Sequence, residues 1–255
     1  VSFLPRGVDF HCHLDLYPDF EAVVAECEAH QIATLAVTTT PLAFPRNLEL
    51  TKPLRYVRAA LGLHPQLVTE RAGELELLKK YLPLTRYVGE IGLDAGPKHF
   101  RSIDQQREVF IEILKLCAVS GDKVLSVHTT RAAKHAFESI EANLPSGRGK
   151  IVLHWFTGTL REANWAVELG CYFSINGEML RNPVHRKTIE SLPASRLLTE
   201  TDGPFVIRDG KPLRPADVIS TADALATVRH MPYTDMLSQL RDNVRTLVSG
   251  SGAPL

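Results

Sequence analysis

Polar and apolar side chains alternate from residue 8 to residue 15, and a period of two is the signature of a strand. Asp9, His11, His13 and Asp15 fall on one face, Phe10, Cys12 and Leu14 on the other. The period then lengthens. Phe20, Val23, Val24 and Cys27 recur at helical spacing over residues 19–30, and residues 32–37 return to an apolar run that leaves into the polar Thr38-Thr39-Thr40-Pro41. Pro45 and Pro53 predict a broken helix before a strand over 56–63, which ends in His64-Pro65. A helix over about 72–82 leads to a strand over 87–94. Ile103, Phe110, Leu114 and Cys117 then make the core stripe of a helix over 103–120.

The alternation continues with strands over 124–128, 151–154, 171–175 and 196–201 and helices over 131–143, 160–169 and near 183–192. Two further helices close the chain. About eight strands alternating with helices imply a parallel sheet, and this many units in 255 residues predict an α/β fold, a single (β/α)8 TIM-like barrel of the metal-dependent hydrolase type. No linker or low-complexity stretch divides residues 1–255, so one domain is expected. An open doubly wound sheet is the alternative, but no G-x-G-x-x-G follows the first strand.

Composition narrows the classes. Lys+Arg and Asp+Glu are equal at 29 each, so there is no general attraction to polyanions, and any site for phosphates must be local. No apolar run approaches the roughly 18 residues of a membrane span, and residues 1–7 lack a secretory pattern. A cytoplasmic location away from membranes is expected. The cysteines Cys12, Cys27, Cys117 and Cys171 show no C-x-x-C pairing and read as small core residues.

Candidate chemistry lies at the strand ends, where barrel active sites are built. His13, His64, Glu90, His128, His154 and Asp202 all fall there. His11, His13 and Asp202 come from the first and last strands, which are neighbours only in a closed barrel, and would hold one divalent ion. His128 and His154 would hold a second, with Glu90 as the bridge. Lys123 and Lys150 fall at the opposite ends of their strands, so a lysine-derived bridge is not expected. Two divalent ions (Mg, Mn or Zn) point to hydrolysis, with Asp202 orienting or deprotonating the attacking water.

The blocks His-Cys-His-Leu-Asp (11–15), Gly-Leu-His-Pro (62–65), Gly-Glu-Ile-Gly-Leu-Asp (89–94), His-Trp-Phe-Thr-Gly (154–158) and Glu-Thr-Asp-Gly-Pro (200–204) resemble, in order and over nearly the whole chain, the TatD family of metal-dependent deoxyribonucleases. The resemblance implies a barrel, two metals and phosphodiester hydrolysis on single-stranded or 3′-ended DNA, with RNA a related substrate. It matches His11, His13, Glu90, His128, His154 and Asp202 to metal ligands and Glu200 and His64 to residues near the reacting phosphate. Substrate contacts are expected at His64, Arg131 and Trp155, with Lys134, Arg181, Arg186 and Lys187 as further cations at the mouth. Thr130 stands where the family has an arginine, and Ala95-Gly96-Pro97 replaces its usual aromatic. This combination is similar to the TatD-like member of a bacterial anti-phage gene set known as Qat, which implies protein partners in a defence system. Two rival readings stay open, an amide or ester hydrolase using the same activated water and a scaffold subunit of a defence complex.

Overall fold

The computed structural model describes residues 4–249. β1 (Gly7–Cys12) is followed by α1 (Phe20–His30), whose stripe of Val23, Val24 and Cys27 is buried, and by β2 (Ile32–Val37). Because β1 ends at Cys12, Asp15 does not continue its polar face. It lies in a single 3-10 turn and accepts from Asn47 at 3.1 Å. α2 (Phe44–Thr51) is unbroken, against expectation. Pro45 occupies its first turn, where no N–H is needed, and Pro53 falls beyond its end. β3 (Val57–Ala60) is shorter than its apolar run, and the helix expected over 72–82 is divided into α3 (Val68–Arg71), which lies ahead of residue 72, and α4 (Leu75–Tyr81).

β4 (Tyr87–Gly92), α5 (Ile103–Ser120), β5 (Lys123–His128), α6 (Ala133–Asn143), β6 (Gly149–His154) and α7 (Leu160–Glu168) follow the pattern closely. β7 (Tyr172–Ile175) leads into a short α8 (Gly177–Arg181), which the pattern did not mark, and then α9 (Pro183–Ser191). β8 (Leu197–Thr199) is followed by a small unforeseen hairpin, β9 (Ile207–Arg208) and β10 (Lys211–Pro212). The two expected helices are α10 (Val218–Val228) and α11 (Tyr233–Val248). All four cysteines are free and buried. No described helix is long and apolar enough to cross a membrane.

The chain divides into two compact units. Of the described residues, one takes those up to Ala36, Arg46–Arg58 and those from Phe173 on; the other takes Val37–Pro45 and Ala59–Tyr172. In the first, β1 pairs parallel with β2 and β7 pairs parallel with β8. The chain leaving β8 runs beside β1: the Asp202 N–H donates to the His11 carbonyl at 3.0 Å and the His13 N–H to the Gly203 carbonyl at 2.8 Å. The first and last of the eight main strands are therefore neighbours. In the second unit Leu61 bridges to Val88 of β4, and β4, β5 and β6 pair in parallel.

Every residue of β1 is buried, so its polar face does not meet solvent, as expected of a parallel sheet covered on both sides. Asp9 and His11 are thus polar groups inside the molecule, where each requires a partner. The strand register shifts between Asp9 and Cys12 and again between Val88 and Ile91. Such irregularities re-aim side chains. The residues inside the two shifts include His11 and Glu90.

Candidate metal centres

In the first unit the strand β1 presents His11, and His13 follows just beyond its end. Their Nε2 atoms are 3.3 Å apart, and Asp202 Oδ1 lies 3.8 Å from His11 Nε2 and 3.6 Å from His13 Nε2. All three side chains are buried. Asp202 takes a left-handed backbone, φ 53°, which is costly for a residue with a Cβ and aims its carboxylate at the two rings. The three ligand atoms lie close enough together to share one divalent ion. The donor set fits a divalent ion.

Neighbouring carboxylates hold this cluster in place. Asp9 accepts the Thr201 N–H at 2.9 Å and the Thr201 hydroxyl at 2.6 Å. Burial pushes Asp9 up to about 8 against the pull of those two bonds. Glu200 is fully buried and accepts from the Ser174 hydroxyl and from Asn176 Nδ2 at 3.0 Å. Both therefore brace the segment that carries Asp202.

In the second unit Glu90 is the centre. His128 Nδ1 is 2.7 Å from Glu90 Oε1, His154 Nε2 is 3.8 Å from that same oxygen, and His64 Nε2 is 3.2 Å from Oε2. Glu90 lies inside β4, while His128 and His154 are the last residues of β5 and β6. The close approach behind these positions depends on glycine. A Cβ on Gly62 would lie 1.9 Å from the Thr38 carbonyl oxygen, and one on Gly92, at φ 133°, would lie 2.1 Å from that of His128. His64, Glu90 and His128 offer a second group of donors that could hold an ion.

One member was missed in the sequence. Asp94 Oδ2 lies 3.1 Å from His128 Nε2 and accepts from Gln66 Nε2 at 2.7 Å, while Oδ1 accepts the Gly96 N–H at 2.6 Å. Gln106 holds its backbone from the other side, through a 2.7 Å bond from the Asp94 N–H and a 3.0 Å bond to its carbonyl. Burial works against the Asp94 carboxylate, but the bonds from His128, Gln66 and Gly96 outweigh it and hold its pKa below the usual range. Burial likewise disfavours a charged His128, and the bonds to Asp94 and Glu90 outweigh it, pushing its pKa up to about 9. The metal-free imidazole is therefore protonated at neutral pH and donates to both carboxylates.

The remaining sequence candidates are less tightly held. Arg131 is exposed in the turn after β5 with a left-handed backbone, φ 54°, and Trp155 is half-buried with its ring at 6.2 Å and 89° to His154. Lys134 pairs with Glu138 and Arg181 with Glu178 on exposed helix faces. Arg186 and Lys187 lie on α9. Lys123 begins β5, away from the ligand end, and donates to the Leu82 and Thr85 carbonyls at 2.8 and 2.6 Å.

A family model described as TatD related DNase matches residues 8–249. The chain belongs to the TatD family. Among TatD relatives, the metal-dependent hydrolase YjjV of Escherichia coli is 31% identical over 258 residues, covering 95% of this chain and 97% of its own. Human deoxyribonuclease TATDN3 is 26% identical over 262 residues, covering 94% and 93%. The crystal structure of the same E. coli TatD homologue superposes with a TM-score of 0.85 at 29% identity, covering 96% of this chain and 98% of that one. A TatD family hydrolase from Entamoeba histolytica gives 0.82 at 17% identity, covering 96% and 99%, a likeness of fold. The fold is accordingly α/β of the TIM-like barrel class, and the chain is a TatD family metal-dependent hydrolase.

Proposed function

We propose that the chain is a metal-dependent nuclease that trims single-stranded DNA from its 3′ end, with RNA as a chemically related substrate. The observation that carries this reading is the convergence of His11 Nε2, His13 Nε2 and Asp202 Oδ1 within 3.8 Å of one another. Relatives named as deoxyribonucleases support the phosphodiester as substrate.

His11, His13 and Asp202 would hold one divalent ion, and Glu90, His128 and His154 another. Bound there, the ions would supply the positive charge that activates water and offsets charge on the phosphoryl oxygens. Asp202 orients the attacking water and takes its proton on the carboxylate. Glu200, fixed by Ser174 of β7 and by Asn176, keeps the Asp202 segment against β7. His64 sets its Nε2 against the second Glu90 oxygen and meets the phosphate or the leaving group. Arg131 and Trp155 are the proposed outer contacts, a cation for phosphate and an indole for a base.

The family match runs from 8 to 249 through both units, which supports reading the whole chain as one catalytic domain. A role in anti-phage defence, with protein partners in the cytoplasm, belongs to the same proposal and rests on the departures at Thr130 and residues 95–97. The test is incubation of the purified chain with end-labelled single-stranded DNA, with manganese or magnesium and with a chelator. Cleavage abolished by the chelator and restored by the ion supports the reading; cleavage indifferent to both removes it.

A further inference from the structure

The chain beyond Asp202 turns tightly, with the Phe205 N–H donating to the Asp202 carbonyl at 3.0 Å. This turn sets the Phe205 ring against His13, centroids 5.0 Å apart and planes at 78°. Phe205 nevertheless stays 59% exposed, and Ile207 is 57% exposed. Large apolar side chains left in water beside a buried polar cluster mark a surface that something covers. In the hairpin that follows, Arg208 stands directly opposite Lys211. Like charges at facing positions destabilise a hairpin, and an anion between them removes the repulsion.

Two buried polar groups, one in this hairpin and one beside it on α10, have no hydrogen-bond partner. Arg208 Nη1 donates to the Ser220 hydroxyl at 3.0 Å, but its Nε is buried and unpartnered. The Thr221 hydroxyl, on a residue 1% exposed, is unpartnered too. Thr221 and Arg208 Nη2 flank Gly177, where a Cβ would lie 3.9 and 3.0 Å from them. Buried donors without acceptors are rare in folded proteins and require an explanation. An oxyanion held between the Arg208 and Lys211 side chains supplies the negative charge that the facing cations need.

We propose that this hairpin is the docking site for the substrate strand: Phe205 stacks on the base next to the cleaved bond, and Arg208 and Lys211 hold a phosphate of the same strand. The inference rests on the nuclease reading and names its contacts. A single strand fits because its bases are free to reach an exposed ring, whereas duplex bases are already stacked. An acidic peptide would satisfy the cations and leave Phe205 unused.

The experiment measures binding of a short fluorescent single-stranded oligonucleotide by anisotropy, in chelator so that nothing is cleaved, against the same oligonucleotide with an abasic terminal position. Phe205→Ala should weaken binding of the intact strand about tenfold and leave the abasic strand unaffected. Arg208→Gln, and Lys211→Gln on the exposed strand should Arg208→Gln not fold, should weaken both strands and make the salt slope shallower by about one. Equal effects of Phe205→Ala on both strands, or an unchanged salt slope, would overturn the proposal. So would competition by polyglutamate as effective as by DNA. If the wild type binds and cleaves while the variants match it, the docking site is wrong and the nuclease reading stands. If the wild type neither binds nor cleaves with manganese, both fall.

Discussion

His128 reaches Asp94 Oδ2 with Nε2 at 3.1 Å, and this bond decides which ring nitrogen is left for chemistry. Asp94 is ionised and accepts, so Nε2 carries the proton and Nδ1 is directed at Glu90, 2.7 Å away. A carboxylate behind a ligating histidine fixes its tautomer and ring orientation. Asp94→Asn should therefore lower zinc affinity about 10- to 100-fold. Nitrogen NMR of the metal-free protein should show His128 losing its proton at lower pH than in the wild type. Unchanged affinity would reduce Asp94 to a structural residue.

A pH dependence follows from the same ring. The metal-free pKa of His128 is pushed up to about 9, so below that pH an incoming ion must displace a proton from Nδ1. Apparent affinity should rise with pH, about tenfold per unit between pH 6 and 8 if one proton is released. Calorimetry in two buffers of different ionisation enthalpy counts that proton. A flat affinity across this range would contradict the protonated resting state.

His64 and His128 should behave differently on removal. His64 faces Glu90 Oε2, whereas His128 and His154 face Oε1. His64→Ala should cut turnover with metal content intact, and His128→Ala should lose metal as well. Elemental analysis of both variants separates the roles; equal metal loss would make His64 a ligand.

Stability at alkaline pH gives a check away from the site. Burial pushes the Cys117 thiol up to about 12, from an ordinary value near 9 that the unfolded chain retains. Between those values the unfolded state loses the proton first, so stability is full below pH 9 and falls as pH rises toward 12. At pH 10.5 this amounts to about 2 kcal/mol, which Cys117→Ala should remove from the pH dependence of urea unfolding. An identical slope in the variant would show that the thiol does not contribute.

The strand and helix order was legible because buried parallel strands and amphipathic helices leave strong periodic signals. α5 shows this best: its stripe predicts residues 103–120, and the helix is Ile103–Ser120. Proline misled at α2, since a pattern does not say whether Pro45 lies inside a helix or in its first turn. The β9–β10 hairpin is only two residues per strand, too short for any period to register. His11, His13 and Asp202 were readable as ligand types at strand ends, and the first unit brings them together. Asp94 was not, because its role depends on the chain folding back after β4 so that Gln66 and Gln106 can hold it against His128. Phe205 belongs to no periodic stretch, and only the fold shows it exposed beside His13.

Metal-dependent hydrolysis should begin at the end of a strand. A chain with 29 basic and 29 acidic residues has local cations and no long basic face, so few phosphates should be contacted and a free end should be needed. The direct measurement compares linear and circular single-stranded DNA at matched nucleotide concentration, with manganese and with chelator. Cleavage of the linear strand alone, lost in chelator and only shallowly dependent on salt, is the predicted result. Cleavage of the circle at the linear rate, or of either strand in chelator, would contradict the account.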